Sequence, residues 1–271
     1  MIAIKPYGGL GNRLRSIDSA VALSECTVKK ATVIWDANRE LNCPFSELFE
    51  QPGDIGLKEI STSYIPRKAN EKFSLLLHKF KIKYPFGYDK ILHEKDIYKM
   101  KHENYDFCRL KKFRTVYIYI NGRFLFPEKP YHYLKPVKSI QERVESLTED
   151  FNTRTIGVHI RRTDNQMAIK ESPLENFVEL MKKEKTDNGI DKFFLSTDSL
   201  EAEKYIKHSF PEQVITYDKE LSRNKKEGVK DALTDMLCLS KTSKIIGSYY
   251  SSFSEVAAEM GQIPLVIARN K

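Results

Sequence analysis

The sequence predicts an α/β protein in two halves, each a parallel sheet flanked by helices. Three observations carry that prediction. Residues 2–36 read as a βαβ unit, residues 155–267 alternate five strands with four helices, and a proline-punctuated stretch, Pro127, Pro130 and Pro136, lies between. At 271 residues the chain can bury two cores of ordinary size. The expected domains are therefore 1–136 and 137–271, with a cleft between facing strand ends.

In order, Ile2 to Tyr7 reads as a strand, Gly8 to Asn12 as a tight loop, and Arg13 to Glu25 as a helix. Leu14, Ile17, Val21 and Ala22 share one face of that helix. Ala31 to Asp36 is the second strand. From Leu41 to Asn104, short apolar runs among lysines are broken by Pro44, Pro52, Pro66 and Pro85, which reads as short helices and loops. Thr115 to Ile120 returns to a strand pattern, and Val137 to Thr148 is a polar helix. Beyond it the expected strands are 155–161, 193–197, 214–217, 244–247 and 265–267. The expected helices are 173–186, 200–208, 229–240 and 253–260. Such alternation makes a parallel sheet covered on both faces.

Lys and Arg number 45 against 37 Asp and Glu, a net charge of +8 that favours anionic partners. The charge is dispersed and no aromatic residues interleave it in a recognition motif, so nucleic acid is not expected. Cys26, Cys43, Cys108 and Cys238 are scattered and suggest neither a zinc site nor a disulfide framework, which favours a reducing interior. No run of eighteen apolar residues exists and the chain opens as a strand, so the expected location is the cytoplasm. Arg67 to Tyr84 sets basic residues around Phe73, Leu76, Leu77 and Phe80. It reads first as a solvated helix packed on the core, and second as a peripheral contact with the inner face of a membrane.

Four strand ends could carry chemistry. Gly8-Gly9-Leu10-Gly11-Asn12-Arg13 joins a strand to a helix, so the backbone can approach an anion or a sugar closely. It lacks the Gly-Lys-Ser/Thr ending of a phosphate loop and the third glycine of a dinucleotide fingerprint. Asp36, however, ends the second strand as a ribose-binding acid would. A tight turn without a ligand is the plain alternative. His159-Ile160-Arg161-Arg162-Thr163-Asp164 places two guanidinium groups at a strand end, where they suit a phosphate. His159 and Arg161 share a face by the two-residue period, so Arg161 is the favoured ligand over Arg162. Leu195-Ser196-Thr197-Asp198-Ser199 ends a strand in hydroxyls and an acid, with an N-cap by Asp198 or Ser199 as the structural alternative. Gly247-Ser248-Tyr249-Tyr250-Ser251-Ser252 could receive a phosphate on hydroxyls and helix N–H groups. Asp235 faces away from Leu233 and Leu237, which fits either a nucleobase contact or exposure to solvent.

In this order the four motifs resemble the fucosyltransferase superfamily of α1,2-, α1,6- and protein O-fucosyltransferases. Thr163-Asp164 after the arginine pair looks more like the α1,6 group. Residues 40–150 are unmatched. The resemblance implies a GT-B architecture of two Rossmann-like domains facing across a cleft, the C-terminal one holding GDP-fucose and the N-terminal one on the acceptor side. It implies inverting transfer to a carbohydrate acceptor, with no metal and no cofactor beyond the donor. By matched position Arg161 clamps the β-phosphate, His159 contacts the nucleoside, Asp235 reads guanine, and Ser251 and Ser252 hold the pyrophosphate. Gly9, Gly11 and Asn12 approach the phosphates or the acceptor, while Arg162 and Asp198 stand beside the donor. Glu171 and Asp164 are the candidate general bases. Two other readings are an NAD-dependent oxidoreductase resting on Asp36, and a non-catalytic nucleotide- or glycan-binding module.

Overall fold

The structure, a computed structural model, describes residues 1–62, 87–163 and 165–270. The chain forms two compact units, Met1–Val137 with Arg223–Val229, and Lys138–Ser222 with Lys230–Lys271. The short return Arg223–Val229, which the sequence places with the second half, groups with the first unit. The amphipathic stretch 67–84 and Asp164 lie outside the described residues.

The first unit contains β1 (Ile2–Pro6), α1 (Leu10–Thr27), β2 (Ala31–Ala37), β3 (Gly56–Ser61), β4 (Lys90–His93), α2 (Glu94–His102) and β5 (Val116–Ile120). They build a parallel sheet in the order β3-β2-β1-β5-β4. Ile4 of β1 sits in register with Val33 and Ile118, and all three are fully buried. Leu14, Ile17 and Val21 of α1 are buried as their spacing requires. Strands β3 and β4 fall where the sequence suggests helices and loops. β3 lies at one edge with mostly exposed or half-buried residues, and β4 is a short strand at the other, so neither shows a burial period.

Cys26 and Cys108 form a disulfide, which corrects the expectation of unlinked cysteines. The pair is 82 residues apart in sequence, and the end of α1 meets the 3-10 turn Phe107–Lys112 only through the fold. The case for a reducing interior rested on unlinked cysteines and loses that ground. Among the described residues, no helix is long and apolar enough to cross a membrane.

The second unit runs α3 (Lys138–Thr148), β6 (Thr155–Ile160), α4 (Gln166–Glu171), α5 (Leu174–Asn188), β7 (Lys192–Thr197), α6 (Leu200–Ser209), β8 (Val214–Ile215), α7 (Lys226–Ser240), β9 (Ile245–Gly247), α8 (Ser252–Gly261) and β10 (Leu265–Ile267). Its parallel sheet has the order β10-β9-β6-β7-β8. Every residue of β6 is buried, as a central parallel strand covered on both faces must be. Ile156, Val158 and Ile160 pack with Phe193, Leu195, Phe177, Met181 and Ile206. The chain passes from β6 outward to β7 and β8, then returns to β9 and β10 on the other side. The loops after β6 and β9 therefore leave in opposite directions, which opens a crevice at their carboxyl ends, where open α/β sheets take ligands.

Candidate nucleotide site

Arg161 begins the loop after β6. Its backbone N–H donates to Ser248 Oγ at 2.9 Å, while Ser248 donates its own N–H to the His159 carbonyl at 3.1 Å. The ends of β6 and β9 are thereby tied together. Asp198, at the end of β7, accepts from Arg162 N at 2.7 Å and from Thr163 Oγ1 at 2.7 Å, and pairs with Arg161 Nη1 at 2.9 Å. This carboxylate shapes the 161–163 turn and fixes the Arg161 guanidinium. Ser199, not Asp198, caps α6 by accepting from Ala202 N. Arg162 turns the other way and donates to the carbonyls of Ser172 at 2.6 Å and Ile169 at 3.4 Å, where α4 ends. The pair divides as the two-residue period predicts, with Arg161 at the crevice and Arg162 holding a helix end.

Across the crevice, Ser251 precedes the first turn of α8 and Ser252 begins it. Neither hydroxyl makes a hydrogen bond among the described residues, and the first N–H groups of a helix lack intrahelical acceptors. Gly247 lets this helix lie close to β9, because a Cβ there would stand 2.7 Å from Ser254 Oγ and 2.9 Å from its Cβ. Hydroxyls, a helix N-terminus and a fixed cation thus lie at the carboxyl ends of the neighbouring strands β6 and β9, a combination suited to a diphosphate.

Beside it, the ends of β6, β7 and β8 enclose a polar group. His159 is 4% exposed and stacks on Phe253 with ring centroids 4.7 Å apart. Burial, with the Arg161 charge adding to it, pushes its pKa down to about 3, so the imidazole is neutral at neutral pH. Asp235 of α7 is also buried, which corrects any placement of this carboxylate in solvent. Its Oδ2 accepts from Ser196 Oγ at 2.8 Å and from Lys219 Nζ at 2.7 Å. Burial raises the Asp235 pKa, and the Lys219 ammonium pulls it back. Two buried polar atoms here have no hydrogen-bond partner among the described residues: His159 Nδ1 and Asp235 Oδ1. Buried polar atoms are nearly always satisfied, so two on one face of the sheet mark a place for a ligand or water. The sequence reading missed Lys219, whose side chain is 4% exposed. Its signal was its position, two residues beyond the strand expected at 214–217.

Glu171 is the last residue of α4 and not part of a loop. Its Oε2 accepts from Arg269 Nε at 3.3 Å. In the first unit Gly8 adopts φ +83°, a left-handed conformation natural to glycine, and Gly9 precedes the first turn of α1. Gly11 and Asn12 lie in that turn, and the Asn12 side chain makes no hydrogen bond among the described residues. Arg13 is fully buried and donates to Gly8 O at 2.9 Å, Asp36 O at 2.6 Å and Asn38 Oδ1 at 2.9 Å. It pins the glycine turn to the end of β2. Asp36 is 2% exposed, pairs with Lys5 Nζ at 2.8 Å and accepts from Thr62. Both its oxygens are occupied, which leaves a ribose little to bind. Among the described residues, no group of three His, Cys, Asp or Glu side chains is arranged to hold a metal.

No protein-family model and no curated sequence matches the chain. Solved structures do. The chain is similar to the α1,6-fucosyltransferase NodZ soaked with GDP-fucose, with a TM-score of 0.61 at 19% identity over 96% of this chain and 92% of that one. It is similar to NodZ from Bradyrhizobium, with a TM-score of 0.61 at 19% identity over 94% and 92%. It is also similar to the protein O-fucosyltransferase POFUT1 in complex with GDP-fucose, with a TM-score of 0.56 at 12% identity over 98% and 96%. With these enzymes the chain shares its fold, the α/β architecture of two parallel sheets that the motif resemblance implied.

Proposed function

We propose that this protein is an inverting, metal-independent fucosyltransferase that moves fucose from GDP-fucose to a hydroxyl of a glycan or glycolipid-type acceptor. The observation that carries the reading is the crevice between β6 and β9. There Arg161 and the unbonded Ser251 and Ser252 hydroxyls lie at neighbouring strand ends, with two buried polar atoms without hydrogen-bond partners on the same sheet. Structures of the same fold were solved with GDP-fucose and with GDP.

In this reading the nucleoside lies against His159 and Asp235, and the diphosphate between Arg161 and the α8 N-terminus. As the bond from fucose C1 to the phosphate oxygen breaks, negative charge collects on the β-phosphate. A cation already fixed by Asp198 and the helix N–H groups stabilise that charge more than the ground state. The acceptor oxygen attacks C1 from the opposite side, which inverts the anomeric centre, and its proton passes to a carboxylate. Glu171 and Asp164 are the candidates for that base, and Glu171 would first have to leave Arg269. The Gly9, Gly11 and Asn12 turn is the first unit's candidate contact with the phosphates or the acceptor.

The test is transfer of labelled fucose from GDP-fucose to a panel of saccharides and glycolipids in the presence of EDTA, with NMR reading the anomeric configuration of the product. Transfer with inversion is expected. GDP binding without transfer to any acceptor would instead identify a binding module. Hydride transfer with NAD would identify the oxidoreductase, a reading that the engagement of Asp36 disfavours.

A further inference from the structure

Lys219 and Asp235 form a buried ion pair at the strand ends where the donor reading puts the nucleoside. The two side chains are 4% and 6% exposed, and Nζ stands 2.7 Å from Oδ2. Burying both charges is expensive, and a well-packed apolar pair often serves stability as well or better. Stability alone therefore gives a weak account of the pair.

The pair is also unevenly satisfied. Asp235 Oδ2 takes both Lys219 and Ser196 Oγ, and the Tyr217 hydroxyl also faces the carboxylate, whereas the buried Oδ1 accepts no hydrogen bond of good geometry among the described residues. Lys219 gives one N–H to Asp235 and holds its ammonium 5.0 Å from the centre of the Tyr217 ring. That ring is flanked by the Arg143 guanidinium, 4.7 Å from its centroid, and its hydroxyl donates to the Asp231 carbonyl at 3.0 Å. Arg143 itself pairs with Asp231. The surroundings thus hold both Lys219 and Asp235 in place. A lysine carries three N–H donors and a carboxylate several lone pairs, so the fixed pair offers a donor and an acceptor side by side.

A 6-oxopurine presents the matching edge, with O6 as acceptor next to N1–H as donor. A 6-aminopurine presents the reverse, with an amino donor next to a bare ring nitrogen. We propose that Lys219 is a specificity-determining residue of the donor site, pairing with Asp235 so that together they accept a 6-oxopurine base and reject a 6-aminopurine. The proposal rests on the nucleotide-sugar reading, from which Asp235 alone would do the reading and Lys219 would have no part.

The experiment is calorimetric titration of GDP, IDP and ADP into the wild-type protein, Lys219→Arg, Lys219→Met and the double variant Lys219→Met/Asp235→Asn. The double variant removes both charges and so avoids leaving one of them buried alone. The wild type is expected to prefer GDP and IDP over ADP by at least about 100-fold. Lys219→Arg should keep that order. Lys219→Met and the double variant, folded by circular dichroism, should bring the three nucleotides within about tenfold of each other. A GDP preference that survives in the folded double variant would overturn the inference while leaving the nucleotide reading intact. A wild type that binds none of the three would overturn both.

Discussion

Arg161 and Arg162 are neighbours in sequence with separate fates. Arg162 closes the end of α4 through two carbonyls, so Arg162→Met should lower stability by about 1–3 kcal/mol, measured by chemical denaturation. Arg161→Ala should cost less stability, because its guanidinium stands at a partly exposed site. The division was legible in the two-residue period of the strand. The partners were not, because Asp198 and Ser248 arrive from other strands. His159 leads to a second prediction. Its native pKa lies near 3, below its ordinary value of 6.5, so the unfolded chain takes up the proton first. Its contribution to stability is complete above about pH 6.5 and is lost as pH falls towards 3, at up to about 1.4 kcal/mol per pH unit. Wild type should therefore lose more stability between pH 7 and 4.5 than His159→Asn. Equal losses in urea denaturation at the two pH values would refute the burial of a neutral imidazole.

At the scale of elements, the second sheet was legible because its strands are mostly apolar and its helices follow at regular intervals. The first sheet was half hidden, since β3 and β4 lie at its edges and show no burial period. Asp235 had two readings, a nucleobase contact and exposure to solvent, and its burial removes the second. Most of α7 from residue 228 onward is buried, so the face turned from Leu233 is not turned to water. Arg13 lies in the first turn of α1, as its place at a helix start suggested, and its side chain also braces the glycine turn, a use that only the close approach of Asp36 and Asn38 reveals. The approach of α8 to β9 makes a prediction at this scale. Gly247→Ala puts a methyl group within 3.0 Å of Ser254, so the first turn of α8 must shift. Stability should fall by about 1–3 kcal/mol, and GDP affinity should fall with it, because Ser251 and Ser252 ride on that turn. A variant that loses stability but binds GDP normally in calorimetry would separate α8 from the phosphate site.

For the molecule as a whole, the Cys26–Cys108 link joins segments that only the finished fold brings together, which is why spacing could not announce it. Reduction, or Cys108→Ser, should lower stability by about 2–4 kcal/mol, read as a lower denaturation midpoint with and without dithiothreitol. The net charge of +8 pointed to an anionic partner without choosing one. The choice comes from the order of the second sheet, whose reversal between β6 and β9 makes an opening at the strand ends whose loops carry Arg161, Ser248, Ser251 and Ser252. The account stands on that opening being the seat of a nucleoside diphosphate. The most direct measurement is calorimetric titration of GDP in EDTA into the wild-type protein and into Arg161→Ala. The account predicts saturable GDP binding by the wild type and a loss of at least about tenfold in the variant, matching the loss of a charge-assisted phosphate contact. Unchanged GDP affinity in Arg161→Ala, or no GDP binding by the wild type, would contradict it.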